Sequence, residues 1–277
     1  MAHGALQRAA ELAEVDLLHI KGRSVDPALR RPRSGGSDAD VLVRPAQVED
    51  LFARLRTTGW RQLSTFDSDS DFGSAVTFHH DHWGYADLHR FFPGIGAPAD
   101  TAFQRLWRDR TTRTIAGIDC EVPDLTGQSL ILILNAARGM TAGDGAGEVA
   151  VIWEDAPPKR RAAISALVTD LRAEVAFAAA TGELERYRHR RDYDLWRIES
   201  RGGTRVGRWV ARVKAAPTFR EAVGVVARAP LVNVRHLAFV LGREPTRRDV
   251  AREFFARPYR GAAETLRSLG YRRRRSP

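Results

Sequence analysis

The chain has 277 residues, 43% of them hydrophobic and 28% charged, a globular composition with room for one or two domains and a sizeable core. No apolar run approaches the ~18 residues of a membrane span, and Met1 to Val15 carries Glu11 and Glu14 where a signal peptide would be basic and then apolar. Cys120 is the only cysteine, which excludes an internal disulfide and a thiolate metal cluster, so a cytoplasmic chain without membrane contact is expected.

The net charge of +10 is uneven. Residues 1–130 hold 15 basic and 18 acidic side chains, and residues 131–277 hold 29 and 16. The first part suits cation binding; the second suits either an anionic partner or a solvated Arg-rich surface. Lysine is scarce, with Lys21, Lys159 and Lys214 against 41 arginines. A lone lysine between an apolar segment and Gly22 therefore stands out as a compact ammonium.

In chain order, residues 3–14 have helical spacing, with Leu6, Ala9, Ala10 and Ala13 on one side. Val15 to Ile20 reads as a strand ended by Gly22, and residues 23–37 as a polar connection turning at its prolines and glycines. Asp38 to Arg44 is the second strand, followed by a helix from Pro45 with Val48, Leu51, Phe52 and Leu55 as its stripe. Trp60 to Thr65, Ala75 to His79 and Tyr85 to Phe91 read as strands, with an acidic turn at Asp67 to Asp71. A short helix at Ala102 to Trp107 and a hairpin over Thr112 to Val122 follow. From Thr126 the pattern is helical: a first helix, a Gly-rich break at Gly139 to Gly147, then 160–180, 183–199, 205–214, 218–228, 231–241, 246–256 and 260–269. The Arg272 to Arg275 tail is expected to fray. The fold class that results is α+β: a small mixed β-sheet with flanking helices over residues 1–125, and a basic C-terminal helical domain over residues 126–277.

Ser37-Asp38-Ala39-Asp40-Val41-Leu42-Val43 carries the chemistry. Strand alternation puts Asp38 and Asp40 on one face, ~7 Å apart. Two such carboxylates repel unless a cation lies between them, and Mg²⁺ prefers carboxylate oxygens. Asp87, within Tyr85-Ala86-Asp87-Leu88-His89, supplies a third carboxylate, and three on neighbouring strands describe a two-metal phosphoryl-transfer site. His89 shares the face of Asp87. His80 and His82 have zinc-like spacing, but they flank a turn and no cysteine joins them. Arg186, Arg188, Arg190, Arg191 and Arg197, interleaved with Tyr187, Tyr193 and Trp196, fit either a nucleic-acid surface or an amphipathic helix with its aromatics inward.

Ile20-Lys21-Gly22, then Asp38-Ala39-Asp40-Val41-Leu42-Val43, then Asp87-Leu88-His89 resemble the uncharacterised bacterial nucleotidyltransferase-like group within the nucleotidyltransferase superfamily, which has a DNA polymerase beta-like fold. Gly59-Trp60 and Val122-Pro123-Asp124-Leu125 also fit, and the resemblance covers roughly residues 15–135. It departs at Arg23, where a second glycine or serine is usual, and in its long connection to Asp38. The resemblance implies that Asp38, Asp40 and Asp87 are catalytic and hold two Mg²⁺ ions, with Asp87 also accepting a proton. It further implies that Lys21, Gly22, Ser24, Ser37 and His89 meet the nucleotide. The implied activity moves an NMP, from ATP or another NTP, to an acceptor hydroxyl with release of pyrophosphate. The acceptor, small molecule or RNA, stays open. A toxin-like transferase acting on tRNA, a hydrolytic phosphodiesterase, and a non-catalytic nucleotide- or RNA-binding module are the alternatives.

Overall fold

The structure, a computed structural model, describes residues 1–30, 38–66, 72–140, 145–216 and 218–228, with 237, 241, 243, 245–253 and 256 beyond them. Ser37, the Asp67 to Asp71 turn, the 260–269 helix and the Arg272 to Arg275 tail lie outside the described residues, as does most of 231–241.

Seven strands and ten α-helices are described, and the class is α+β. Helix α1 (Ala2–Leu12) leads into β1 (Leu17–His19) and β2 (Ala39–Val43). After α2 (Val48–Thr57) come β3 (Arg61–Gln62), β4 (Ala75–His80) and β5 (Gly84–His89). These five strands form one mixed sheet in the order β1-β2-β5-β4-β3. Only the β2/β5 contact is parallel. Helix α3 (Ala99–Arg108) precedes a separate hairpin of β6 (Thr111–Ile115) and β7 (Ile118–Val122). The rest is helical: α4 (Leu125–Gly139), α5 (Gly145–Val149), α6 (Pro158–Asp170), α7 (Glu174–Ala180), α8 (Tyr193–Arg201), α9 (Arg205–Ala215) and α10 (Phe219–Arg228).

Strand alternation explains how the sheet is covered. Ala39, Val41 and Val43 of β2, with Ala86 and Leu88 of β5, cluster with Leu6 of α1 and Leu51, Phe52 and Leu55 of α2. Each large aliphatic or aromatic side chain buried there contributes ~1.5–3 kcal/mol. The other face brings Leu18, Ile20 and Leu42 against Leu130 to Leu134 of α4. Helix α4 is apolar almost all round because it is buried almost all round. Its start is fixed by Asp124, whose carboxylate accepts from Gly127 N at 2.8 Å. Asp40, Asp87 and His89 have the parity of the α4 face, so the fold directs them beneath that helix.

Three elements differ from their sequence expectation. The strand expected over 60–65 shortens to Arg61–Gln62, because Trp60 is buried and its N–H caps α2 at Leu55 O, 3.1 Å away. Ser64 Oγ then takes the N–H of Thr77 at 2.8 Å in place of a ladder bond. The helix expected over 160–180 breaks between α6 and α7, where Gly96 N and Ala97 N both donate to Leu171 O at 3.0 Å and Arg172 turns to φ 52°. The helix expected over 183–199 is a 3₁₀ turn at Leu184–Tyr187 followed by α8.

Candidate functional site

Ile20 N donates to Asp40 O at 3.0 Å, extending the β1/β2 pairing by one residue beyond β1. Lys21 therefore arrives beside Asp40, and its Nζ lies 2.6 Å from Asp40 Oδ1. In the parallel register Asp40 stands opposite Asp87, and Leu42 opposite His89. His89 is 4% exposed. Its Nε2 donates to the same Asp40 oxygen at 3.3 Å, which leaves Nδ1 buried without a partner. On the far side of β5, Thr77 of β4 stands opposite Asp87 and its hydroxyl donates to Oδ1 at 2.6 Å. Among the described residues no hydrogen-bond donor reaches Asp87 Oδ2.

The two carboxylates are shifted in opposite directions. Burial pushes both up, since an apolar setting disfavours the charged form. At Asp40 the His89 hydrogen bond and the Lys21 ammonium outweigh burial and hold the carboxyl below its ordinary value. At Asp87 burial prevails over the Thr77 hydrogen bond, and the negative charge of Asp40 adds to it, so this carboxyl is raised. Burial also lowers His89, against the pull of Asp40.

Lys21, Gly22, Asp38 and Asp40 line a cavity of about 260 Å³. That is many times the ~30 Å³ share of one water, so the space suits a ligand. Arg30, Asn135 and Glu148 add polar groups to the lining, while Val25, Leu29 and Leu132 make one wall apolar. Gly22 has φ +69°, and a Cβ there would meet Asp38 O at 3.3 Å, so the chain passes close over the start of β2. Ser24 is buried, and its hydroxyl donates to Lys21 O at 2.8 Å, holding the turn rather than facing the cavity.

Of the residues singled out in the sequence, Lys21, Gly22, Asp38 and Asp40 thus share the cavity lining. Asp87 and His89 adjoin Asp40 from β5, Ser24 is turned away, and Ser37 falls outside the described residues. Thr77, Arg30, Asn135 and Glu148 carried no sequence signal of their own. Strand register brings in Thr77, helices α4 and α5 carry Asn135 and Glu148, and the turn after Gly22 carries Arg30.

A hard divalent cation matches the donor set at Asp38 and Asp40, which is all oxygen. Among the described residues no three His, Cys, Asp or Glu side chains converge to cage a metal. Mg²⁺ does not require such a cage, because one or two carboxylates with substrate phosphates and waters suffice. His80 and His82 form no such site either: His80 Nδ1 accepts from the backbone N–H of His82 at 3.1 Å, within the turn. Trp196 is 3% exposed. The neighbouring arginines pair with acids, Arg186 with Glu183, Arg188 and Arg201 with Glu185, and Arg197 with Asp194.

No family model matches the chain, and no curated protein matches it. Three solved structures similar to it are nucleotidyltransferases or nucleotidyltransferase-like. The antibiotic-resistance factor ANT(2'')-Ia is 16% identical, with 66% of this chain and 89% of that chain covered and a TM-score of 0.36. The lincosamide antibiotic adenylyltransferase LnuA, lincomycin-bound, is 15% identical, with 60% and 94% covered and a TM-score of 0.33. An antigenic nucleotidyltransferase-like protein from Paracoccidioides brasiliensis is 14% identical, with 66% and 91% covered and a TM-score of 0.37.

Proposed function

We propose that this chain is a Mg²⁺-dependent nucleotidyltransferase, moving an NMP from an NTP to the hydroxyl of a small-molecule acceptor with release of pyrophosphate. The observation that carries this reading is the meeting of Asp40 and Asp87 across the β2/β5 register, beside a cavity lined by Asp38, Asp40 and Lys21. A small acceptor is favoured over RNA because the arginines flanking Tyr187 and Trp196 are engaged in ion pairs.

Asp38 and Asp40 would hold the cation, which when bound supplies positive charge to the reacting phosphate and lowers the charge barrier to attack. His89 Nε2–H fixes the orientation of Asp40. Lys21 brings an ammonium to the phosphates, and Gly22 lets the backbone approach them without a Cβ in the way. Asp87, held through Oδ1 by Thr77, accepts the proton of the acceptor hydroxyl at Oδ2. The acceptor oxygen then bonds to the α-phosphorus as the bond to the departing pyrophosphate breaks, and the pyrophosphate carries off that electron pair.

Thermal stabilisation by each NTP, with and without Mg²⁺, tests the reading, because a ligand of the native state raises the melting temperature. A Mg²⁺-dependent shift for at least one NTP, lost in Asp38→Asn/Asp40→Asn, is expected. Pyrophosphate release in an acceptor screen is the accompanying readout. The Lys21–Asp40 ion pair at 2.6 Å favours one second reading. An ammonium already neutralising Asp40 suits a module that binds nucleotide without turning it over. NTP binding with no pyrophosphate release from any acceptor would select that module.

A further inference from the structure

We propose that Arg30, backed by Arg23 and Arg113, forms a polyphosphate subsite at the rim of the Lys21–Asp40 cavity, taking the triphosphate tail of a nucleotide or free pyrophosphate. The assignment deepens the nucleotidyltransferase reading and rests on it for the nucleotide.

Arg30 lines the cavity together with Lys21 and Gly22. Its Nη2 donates to the carbonyl oxygen of Arg23, and its Nε is buried with no partner. Arg113 projects from β6, and both it and Arg23 lie near enough for their charges to act on Arg30; burial and these two cations together lower its pKa. Asp26 is the acid that opposes them, and its carboxylate is already engaged in capping Ala28 N at 2.8 Å. Other arginines of this chain have acid partners: Arg44 has Asp16, Arg105 has Asp109 and Arg110 has Glu121. Among the described residues, Arg23, Arg30 and Arg113 have none within ion-pair distance. Like charges gathered beside a cavity repel, and a multivalent anion between them reverses the sign of that interaction. The guanidinium fork matches phosphate oxygens in pairs.

The turn that carries Arg23 and Arg30 is anchored. Gln128 of α4 accepts from Asp26 N at 2.7 Å, Ser24 Oγ closes onto Lys21 O, and Leu29 N donates to Asp26 O at 2.9 Å. The backbone oxygen of Arg23 accepts from the Arg30 guanidinium and so holds that side-chain fork at the cavity lining.

Calorimetric titration with inorganic tripolyphosphate, Mg²⁺–NTP and NMP tests the subsite. The proteins compared are the full-length wild type, Arg30→Gln/Arg113→Gln, Arg30→Lys and the surface control Arg186→Gln/Arg188→Gln. Charge-assisted hydrogen bonds to phosphate predict a loss of about tenfold or more for tripolyphosphate and NTP in the double variant. NMP affinity and the surface control stay within about twofold, and Arg30→Lys falls between, since it keeps charge and loses the fork. If the double variant does not melt cooperatively, the intermediate affinity of Arg30→Lys decides. NTP binding that is unchanged in a folded double variant would overturn the subsite and leave the nucleotidyltransferase reading standing. Tripolyphosphate binding that needs both arginines, without any NTP binding, would uphold the subsite and overturn the nucleotide reading. A wild type that binds neither would overturn both.

Discussion

Asp40 and Asp87 stand directly opposite each other on the parallel strands β2 and β5, and their carboxyls are shifted in opposite directions. Asp40 has cationic and N–H partners on one oxygen; Asp87 has a hydroxyl. Two carboxylates placed so closely divide into one held ionised and one held closer to neutral.

Replacing Asp87 with Asn therefore separates function from stability. The amide oxygen can still accept from Thr77, and the repulsion from Asp40 is gone. Asp87→Asn is expected to melt at or above the wild-type temperature. Its pyrophosphate release should fall by roughly 10²–10⁴-fold, the usual share of a general base. A variant that melts lower but keeps its turnover would show that Asp87 serves the fold alone.

A buried histidine chain sets the acid stability. Gln7 Oε1 accepts from His19 Nε2 at 3.1 Å, so His19 Nδ1 is the acceptor for His3 Nδ1–H at 2.8 Å. His3 Nε2 is left as a buried acceptor without a partner. Burial lowers His3 to about 4, and burial and His3 lower His19 well below its ordinary value. A histidine with a depressed folded pKa gives stability that is fully present above 6.5, where the unfolded state is neutral too. That stability is lost as pH falls, for His3 between 6.5 and about 4. At about 1.4 kcal/mol per pKa unit, His3 alone accounts for roughly 3 kcal/mol over that window. Urea unfolding at pH 7 and pH 5 should show the loss, and His3→Gln, which cannot protonate, should flatten the slope. An equally steep slope in His3→Gln would place its origin elsewhere.

Gln128 is expected to govern nucleotide affinity from a distance. Its Nε2 donates to Pro123 O at 2.7 Å while its Oε1 accepts from Asp26 N at 2.7 Å. It thereby ties α4 to the turn that carries Arg30. Gln128→Ala leaves both backbone groups unpaired and should cost about 2 kcal/mol or more in unfolding free energy. Because Gln128 does not line the cavity, KM for NTP should rise several-fold with kcat nearly unchanged. A drop in melting temperature at constant KM would show that the turn keeps its place without it.

Gly22→Ala tests the close passage over β2. At φ +69° an added Cβ is strained by roughly 1–2 kcal/mol, and it would meet Asp38 O at 3.3 Å and His3 Nε2 at 3.5 Å. The melting temperature and the NTP-induced shift should both fall. Wild-type values for both would mean that the turn relaxes without disturbing Asp38.

Most of the sheet was legible in the sequence because each strand has an apolar run with period two. Leu17 and Leu18 face opposite clusters, as do Val41 and Leu42, in the alternation that the sequence displays. The shared parity of Asp38 and Asp40, and of Asp87 and His89, came from the same rule. Periodicity was weakest where a partner from elsewhere decided the outcome. The apolar spacing of residues 160–180 runs on without a break, yet Gly96 and Ala97 claim the Leu171 carbonyl and split the helix. Trp60 looks like a strand residue and instead packs at the end of α2.

The sequence by itself determined that this chain carries paired carboxylates at a strand head, a lysine just before a glycine, and a later aspartate two residues from a histidine. Local spacing suffices for that, since side-chain direction along a strand depends only on parity. The tertiary structure alone decided that Asp40 faces Asp87, because the register of two strands more than 40 residues apart is fixed by the packing of α1 and α2 on one face and α4 on the other. It alone brought Thr77 to Asp87, Gln128 to Asp26, and Arg30 to the rim with Arg113. Each of those contacts joins segments whose meeting depends on how the whole core closes.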